Sequence, residues 1–109
     1  MEKKIKALSI LPKDKVLTIE TVALNNKVGD INVKGELVVN YASENEGTIT
    51  NDGTISGSAA ITNTGTIKNN AEGTISATAA IVNANGIIDN FGTLSADVTN
   101  DNGKVIIEK

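Results

Sequence analysis

From residue 29 onward the apolar residues come mostly one at a time. Many have a polar or small residue on either side and a glycine two positions before them. Asn51-Asp52-Gly53-Thr54-Ile55-Ser56-Gly57 is one such unit, and Gly65-Thr66-Ile67-Lys68, Gly73-Thr74-Ile75-Ser76 and Gly92-Thr93-Leu94-Ser95 repeat its form. Alternation with a period of two predicts strands. No apolar stripe has helical spacing, and Gly, Asn and Thr are poor helix formers.

The units fall into interleaved series. One runs Gly29–Ile31, Gly47–Ile49, Gly65–Ile67, Gly86–Ile88, Gly103–Val105, with steps of 18, 18, 21 and 17 residues. A second runs Gly35–Leu37, Gly53–Ile55, Gly73–Ile75, Gly92–Leu94, with steps of 18, 20 and 19. A third ends in asparagine: Val38-Val39-Asn40, Ile61-Thr62-Asn63, Ile81-Val82-Asn83 and Val98-Thr99-Asn100. Three series sharing one period predict one coil with three sides. The expected fold is all-β: a parallel β-helix (β-solenoid) of about 18–20 residues per coil, three short strands per coil and roughly five coils.

Three core columns follow. They are Ile31, Ile49, Ile67, Ile88 and Val105; Leu37, Ile55, Ile75 and Leu94; and Val38, Ile61, Ile81 and Val98. Corners are expected at Gly29, Gly35, Gly47, Gly53, Gly65, Gly73, Gly86, Gly92 and Gly103, and at Asn40, Asn63, Asn83 and Asn100, with Asn51 and Asn90 near another corner. Both residue types tolerate the positive φ of a sharp turn. Stacked asparagines can also form hydrogen-bonded ladders along the axis. Thr54, Ser56, Thr74, Ser76, Thr93 and Ser95 should line one outward face, the candidate contact surface.

Residues 1–28 lack the glycine repeat and are read as a separate N-terminal strand segment: a cap, an anchor or an oligomer contact. Residues 29–109 are read as the solenoid. Within the first segment, strands are expected on either side of a turn at Pro12-Lys13-Asp14-Lys15, and Lys3, Lys4 and Lys6 are expected as a solvated end. The opening apolar run is too short and too soon interrupted for a signal peptide. Val105-Ile106-Ile107 is continuously apolar, which points to contact with another chain or a covered last rung.

Composition narrows the chemistry. The 109 residues contain no Cys and no His, and all ten basic residues are Lys. Thiolate sites, disulfides, imidazole bases and bidentate Arg clamps are therefore ruled out. A net charge of −3, with Tyr41 and Phe91 as the only aromatics, argues against nucleic acid as a partner. No segment has transmembrane length, so no membrane partner is expected. Asp30, Asp52, Asp89, Asp97 and Asp101 are the acids within the repeats, and the register compels no close pair such as glycoside hydrolysis requires. Thr99-Asn100-Asp101-Asn102-Gly103-Lys104 lacks the ligand spacing of a calcium loop. The chain is accordingly read as a non-enzyme with no catalytic residues, no cofactor and no metal. The threonine-serine array is similar to those of ice-binding solenoids, but the neighbouring side carries Thr48-x-Thr50, Thr66-x-Lys68 and Ile87-x-Asp89, which breaks the regularity.

The Gly-Thr-Ile and Asn-x-Gly units, over roughly residues 29–109, resemble the degenerate repeats of surface β-helix proteins. These include autotransporter and haemagglutinin-like adhesins, phage fibres and tailspikes. A short chain with a distinct N-terminal segment looks most like a virion component, such as a head fibre or capsid decoration protein. That resemblance implies a homo-oligomer, a trimer by preference, with other virion proteins as partners and the virion as location. A glycan-binding adhesin module is an alternative, with a surface glycan as ligand. Gly29-Asp30-Ile31-Asn32-Val33-Lys34-Gly35-Glu36-Leu37-Val38-Val39 also resembles rungs of bactofilins, which implies a cytoplasmic filament protein instead.

Overall fold

The computed structural model describes residues 10–20, 25–27, 29–76 and 81–107. Its strands wind as five successive coils. The first holds β1 (Ile10–Leu11), β2 (Val16–Ile19) and β3 (Asn25–Asn26); the second, β4 (Asp30–Val33), β5 (Glu36–Val39) and β6 (Ser43–Asn45). The third holds β7 (Thr48–Asn51), β8 (Thr54–Ser56) and β9 (Ile61–Asn63); the fourth, β10 (Thr66–Asn69), β11 (Thr74–Ile75) and β12 (Ile81–Ala84). The fifth holds β13 (Ile87–Asn90), β14 (Thr93–Leu94) and β15 (Val98–Asp101), and β16 (Lys104–Ile107) adds one more strand. Each strand pairs in parallel with its equivalent one coil away, which builds three sheets. The chain is a parallel β-solenoid of about five turns with about 18 residues per turn.

Alternation decides what enters the core. On the first sheet Ile31, Ile49, Ile67 and Ile88 stack in register and are buried, and Val105 continues the column half-buried. On the second sheet Leu17, Leu37, Ile55, Ile75 and Leu94 stand in register. On the third, Ser43 is followed by Ile61, Ile81 and Val98.

Val38 is therefore not in the third column. It lies on β5, opposite Thr18 and Ser56, and is half-buried, while Leu37 and Val39 on either side of it are buried. Adjacent strand residues face opposite ways, so an inward Leu37 forces Val38 outward. Ser43 takes the place assigned to it, and its hydroxyl donates to Tyr41 O at 2.7 Å.

The boundary after residue 28 has no counterpart in the pairing. β1, β2 and β3 pair in parallel with β4, β5 and β6, so from Ile10 onward the N-terminal segment is the first coil. The Pro12–Lys15 turn is present: Lys15 N–H donates to Pro12 O at 3.1 Å, and Asp14 has φ of 67°. Lys3, Lys4 and Lys6 lie outside the described residues.

The corner glycines also require a different explanation. Among them only Gly29 has positive φ, at 105°. At most of the others the constraint is closeness. A Cβ on Gly53 would collide with the main-chain oxygens of Gly35 and Lys34 one coil below, and a Cβ on Gly86 would meet Asn63 O and Nδ2 at 2.6 Å. At these corners glycine lets one coil sit on the next.

Candidate functional site

The interior holds the most organised polar chemistry in the molecule. Along the third sheet the asparagines Asn26, Asn45, Asn63 and Asn83 are buried, and Asn100 continues their column on the exposed last coil. Each Nδ2 donates to the Oδ1 of the next, at 2.7, 2.8, 2.9 and 2.9 Å. A second ladder at the end of the first sheet joins Asn51 to Asn69 at 2.8 Å and Asn69 to Asn90 at 2.7 Å. It continues a column whose earlier members, Leu11 and Val33, are apolar.

Each ladder amide also serves the corner beside it. Asn63 Nδ2 lies 3.2 Å from Gly65 O and 3.1 Å from Ile87 O, so the carbonyls at the corner are satisfied from within. Asn45, Asn51, Asn63, Asn69 and Asn83 have no exposed surface. Burying carboxamides is tolerable only because their donors and acceptors are paired.

Asn63, Asn83 and Asn100 share one ladder, as do Asn51 and Asn90. Asn40 belongs to neither. It lies after β5, where its Oδ1 accepts from Ser58 N–H at 3.0 Å and from the Ser58 hydroxyl at 3.2 Å. Asn45 holds the rung below Asn63 instead. None of the ladder asparagines has positive φ, so burial and pairing explain them and turn conformation does not. Asn26, Asn45 and Asn69 escaped the sequence reading, although Asn45-Glu46-Gly47 carries the same Asn-x-Gly spacing as Asn63-Thr64-Gly65.

The outward hydroxyl face is assembled on the second sheet. Thr54, Thr74 and Thr93 are in register, and Ser76 and Ser95 bond through their main-chain N–H to Ile55 O and Ile75 O in the same sheet. The face changes character toward the first coil, where Glu36 and Val16 extend the threonine column. Ser56 Oγ donates to Glu36 Oε2 at 3.2 Å, so part of the array is already engaged within the chain.

The repeat acids are dispersed. Asp30 and Asp89 lie on the first sheet three rungs apart, roughly 14 Å at ~4.8 Å per rung, too far for a glycosidase pair. Asp52 accepts from Asn70 Nδ2 at 2.8 Å. Asp97 and Asp101 are exposed on the last coil. Asp89 Oδ1 is shielded from solvent and has no hydrogen-bond partner among the described residues. Also among the described residues, no group of three or more acidic side chains is placed to hold a metal ion. A hollow of about 390 Å³ lies at the corner by Lys13, Lys15, Lys34 and Glu36, and one of about 310 Å³ lies by Lys68, Asn70, Ala71 and Phe91.

Comparison of the chain with protein-family models, curated proteins and solved structures returns no match.

Proposed function

We propose that the chain is a non-enzymatic structural or attachment module, carried on a phage particle as a head fibre or capsid decoration, with the solenoid projecting from its surface. The observation that supports this most is the use of the interior. Three aliphatic columns and two amide ladders occupy it along the axis, so the inward side chains serve stacking. That leaves the outward faces of the three sheets free for contacts, which suits an attachment module. The likeness of its Gly-Thr-Ile units to fibre repeats supports the setting.

On this reading the partners are other copies of the chain, a trimer by the same likeness, and the particle surface. The Thr54, Ser56, Thr74 and Ser76 face is the contact offered to one of them.

Two measurements test the proposal. Light scattering and electron microscopy of the purified protein should show discrete small oligomers, and antibody labelling of purified particles should decorate their surface. Long unbranched filaments would overturn the virion setting in favour of a cytoskeletal polymer. Saturable binding on a glycan array without particle labelling would move the function to a surface adhesin.

A further inference from the structure

Beside the buried ladder asparagines, one pair of exposed asparagines marks a modification site. Asn85-Gly86 and Asn102-Gly103 are its two Asn-Gly dipeptides. They lie at the same corner in successive coils, where the third sheet returns to the first. Earlier coils turn this corner through Asn45-Glu46-Gly47 and Asn63-Thr64-Gly65, and there the glycine N–H donates to the ladder residue of the coil below: Gly47 to Asn26 O and Gly65 to Asn45 O, both at 3.1 Å. The last two coils carry an extra residue before the glycine. That residue is Asn85 or Asn102, exposed, with φ of 65° and 62°. There the corner is held differently: Asn85 N–H donates to Asp101 O at 3.0 Å, and Ala84 and Asn102 form an antiparallel bridge.

We infer that Asn85 and Asn102 are sites of spontaneous deamidation and isoaspartate formation, which age the C-terminal coils while the ladder asparagines stay intact. Each pairs a solvent-exposed carboxamide with a following glycine, which has no side chain to hinder attack by its amide nitrogen. The Gly86 nitrogen attacks Asn85 Cγ. The new N–Cγ bond closes a five-membered succinimide as the side-chain nitrogen leaves as ammonia, which carries off the glycine N–H proton. Water then opens the ring. Attack at the side-chain carbonyl gives aspartate, and attack at the main-chain carbonyl gives isoaspartate. One water is consumed and one ammonia released, with no oxidant or reductant.

The ladder residues are protected from the same reaction. Asn83 Nδ2 is held by Asn100 Oδ1 at 2.9 Å, Gly86 O at 3.0 Å and Lys104 O at 3.2 Å, and the residue is fully buried. The next residue is Ala84, whose side chain hinders attack.

The product has structural consequences. An isoaspartate at 85 adds a methylene to the main chain directly before Gly86, whose carbonyl holds both Asn83 Nδ2 and, at 2.9 Å, Lys104 N–H. The new carboxylate also lies close to the last coil, since Asn85 N–H donates to Asp101 O at 3.0 Å. Modification therefore loosens β16 and adds negative charge to an already acidic end.

The test is incubation of the folded protein in mildly alkaline buffer at body temperature, followed by peptide mapping by mass spectrometry. Asn85 and Asn102 should convert at least ~10-fold faster than Asn63 and Asn83, whose reaction needs local opening first. Hydrogen exchange in β16 should rise in step. An Asn85→Gly, Asn102→Gly double variant, which still accepts positive φ, should lose the fast reaction. If that variant does not fold, enzymatic methyl-labelling of isoaspartate in the wild-type protein locates the sites directly. Equal rates at Asn63 and Asn85, or no conversion while a free peptide spanning 83–88 reacts, overturns the inference.

Discussion

Asn63 shows what a single side chain does here. Its carboxamide accepts from Asn45, donates to Asn83 and satisfies carbonyls on two coils. Replacing it with Ala leaves buried groups unpaired on both sides. Asn63→Ala should therefore lower the unfolding free energy by about 2–3 kcal/mol in urea titration. Asn40→Ala should cost under ~1 kcal/mol, because Asn40 and Ser58 can bond to water instead. The two classes of glycine separate in the same way. Gly29→Ala meets nothing within 4 Å but retains an unfavourable φ of 105°, and should cost about 1 kcal/mol. Gly53→Ala has no room against the coil below and should cost clearly more in the same assay.

Among the described residues the strands are short, four residues at most, and each depends on its neighbours one coil away. The face each residue presents is therefore the main thing a strand specifies. Val38 and Val39 allow a direct test on β5. Val39→Thr places a hydroxyl among buried aliphatics and should cost about 1–3 kcal/mol. Val38→Thr, on the outward side, should stay within ~0.5 kcal/mol by chemical denaturation. Ile67→Asp on β10 should prevent folding, judged by circular dichroism, since it buries an unpaired charge between Ile49 and Ile88. Thr66→Lys one position earlier should be tolerated. Equal damage from the members of either pair would contradict the register.

Along the whole molecule each coil contacts chiefly its neighbours, so stability is shared in one dimension. The middle coils hold the fully buried residues of all three sheets. The last coil keeps Leu94, Val98 and Val105 only half-buried, and Ile107 is 59% exposed. Amide hydrogen exchange followed by mass spectrometry should protect β7 to β12 most and β14 to β16 least. Uniform protection from β1 to β16 would mean that the coils open as one unit. The deamidation sites flank the last, less buried coil, where a lengthened corner meets least resistance.

Much of this was legible in the residues themselves. Period-two alternation and glycine spacing near 19 residues dictate strands, coils and the columns through Ile31, Leu37 and Ile61, because a repeated pattern admits few arrangements. The asparagines that end the third series, Asn63, Asn83 and Asn100, announced stacked amides. Where spacing failed was at the first coils, whose glycines are missing or whose rung starts with a polar residue. Ser43 in a column of aliphatics cannot be told from a loop serine, and Val38 next to Leu37 offers two apolar choices for one inward position. Only the tertiary structure decided these, because a neighbouring coil determines which side chain finds a cavity of the right shape. It also decided that glycine at Gly53 answers to contact between coils, since the atoms it would collide with, on Gly35 and Lys34, lie a full coil away in the chain.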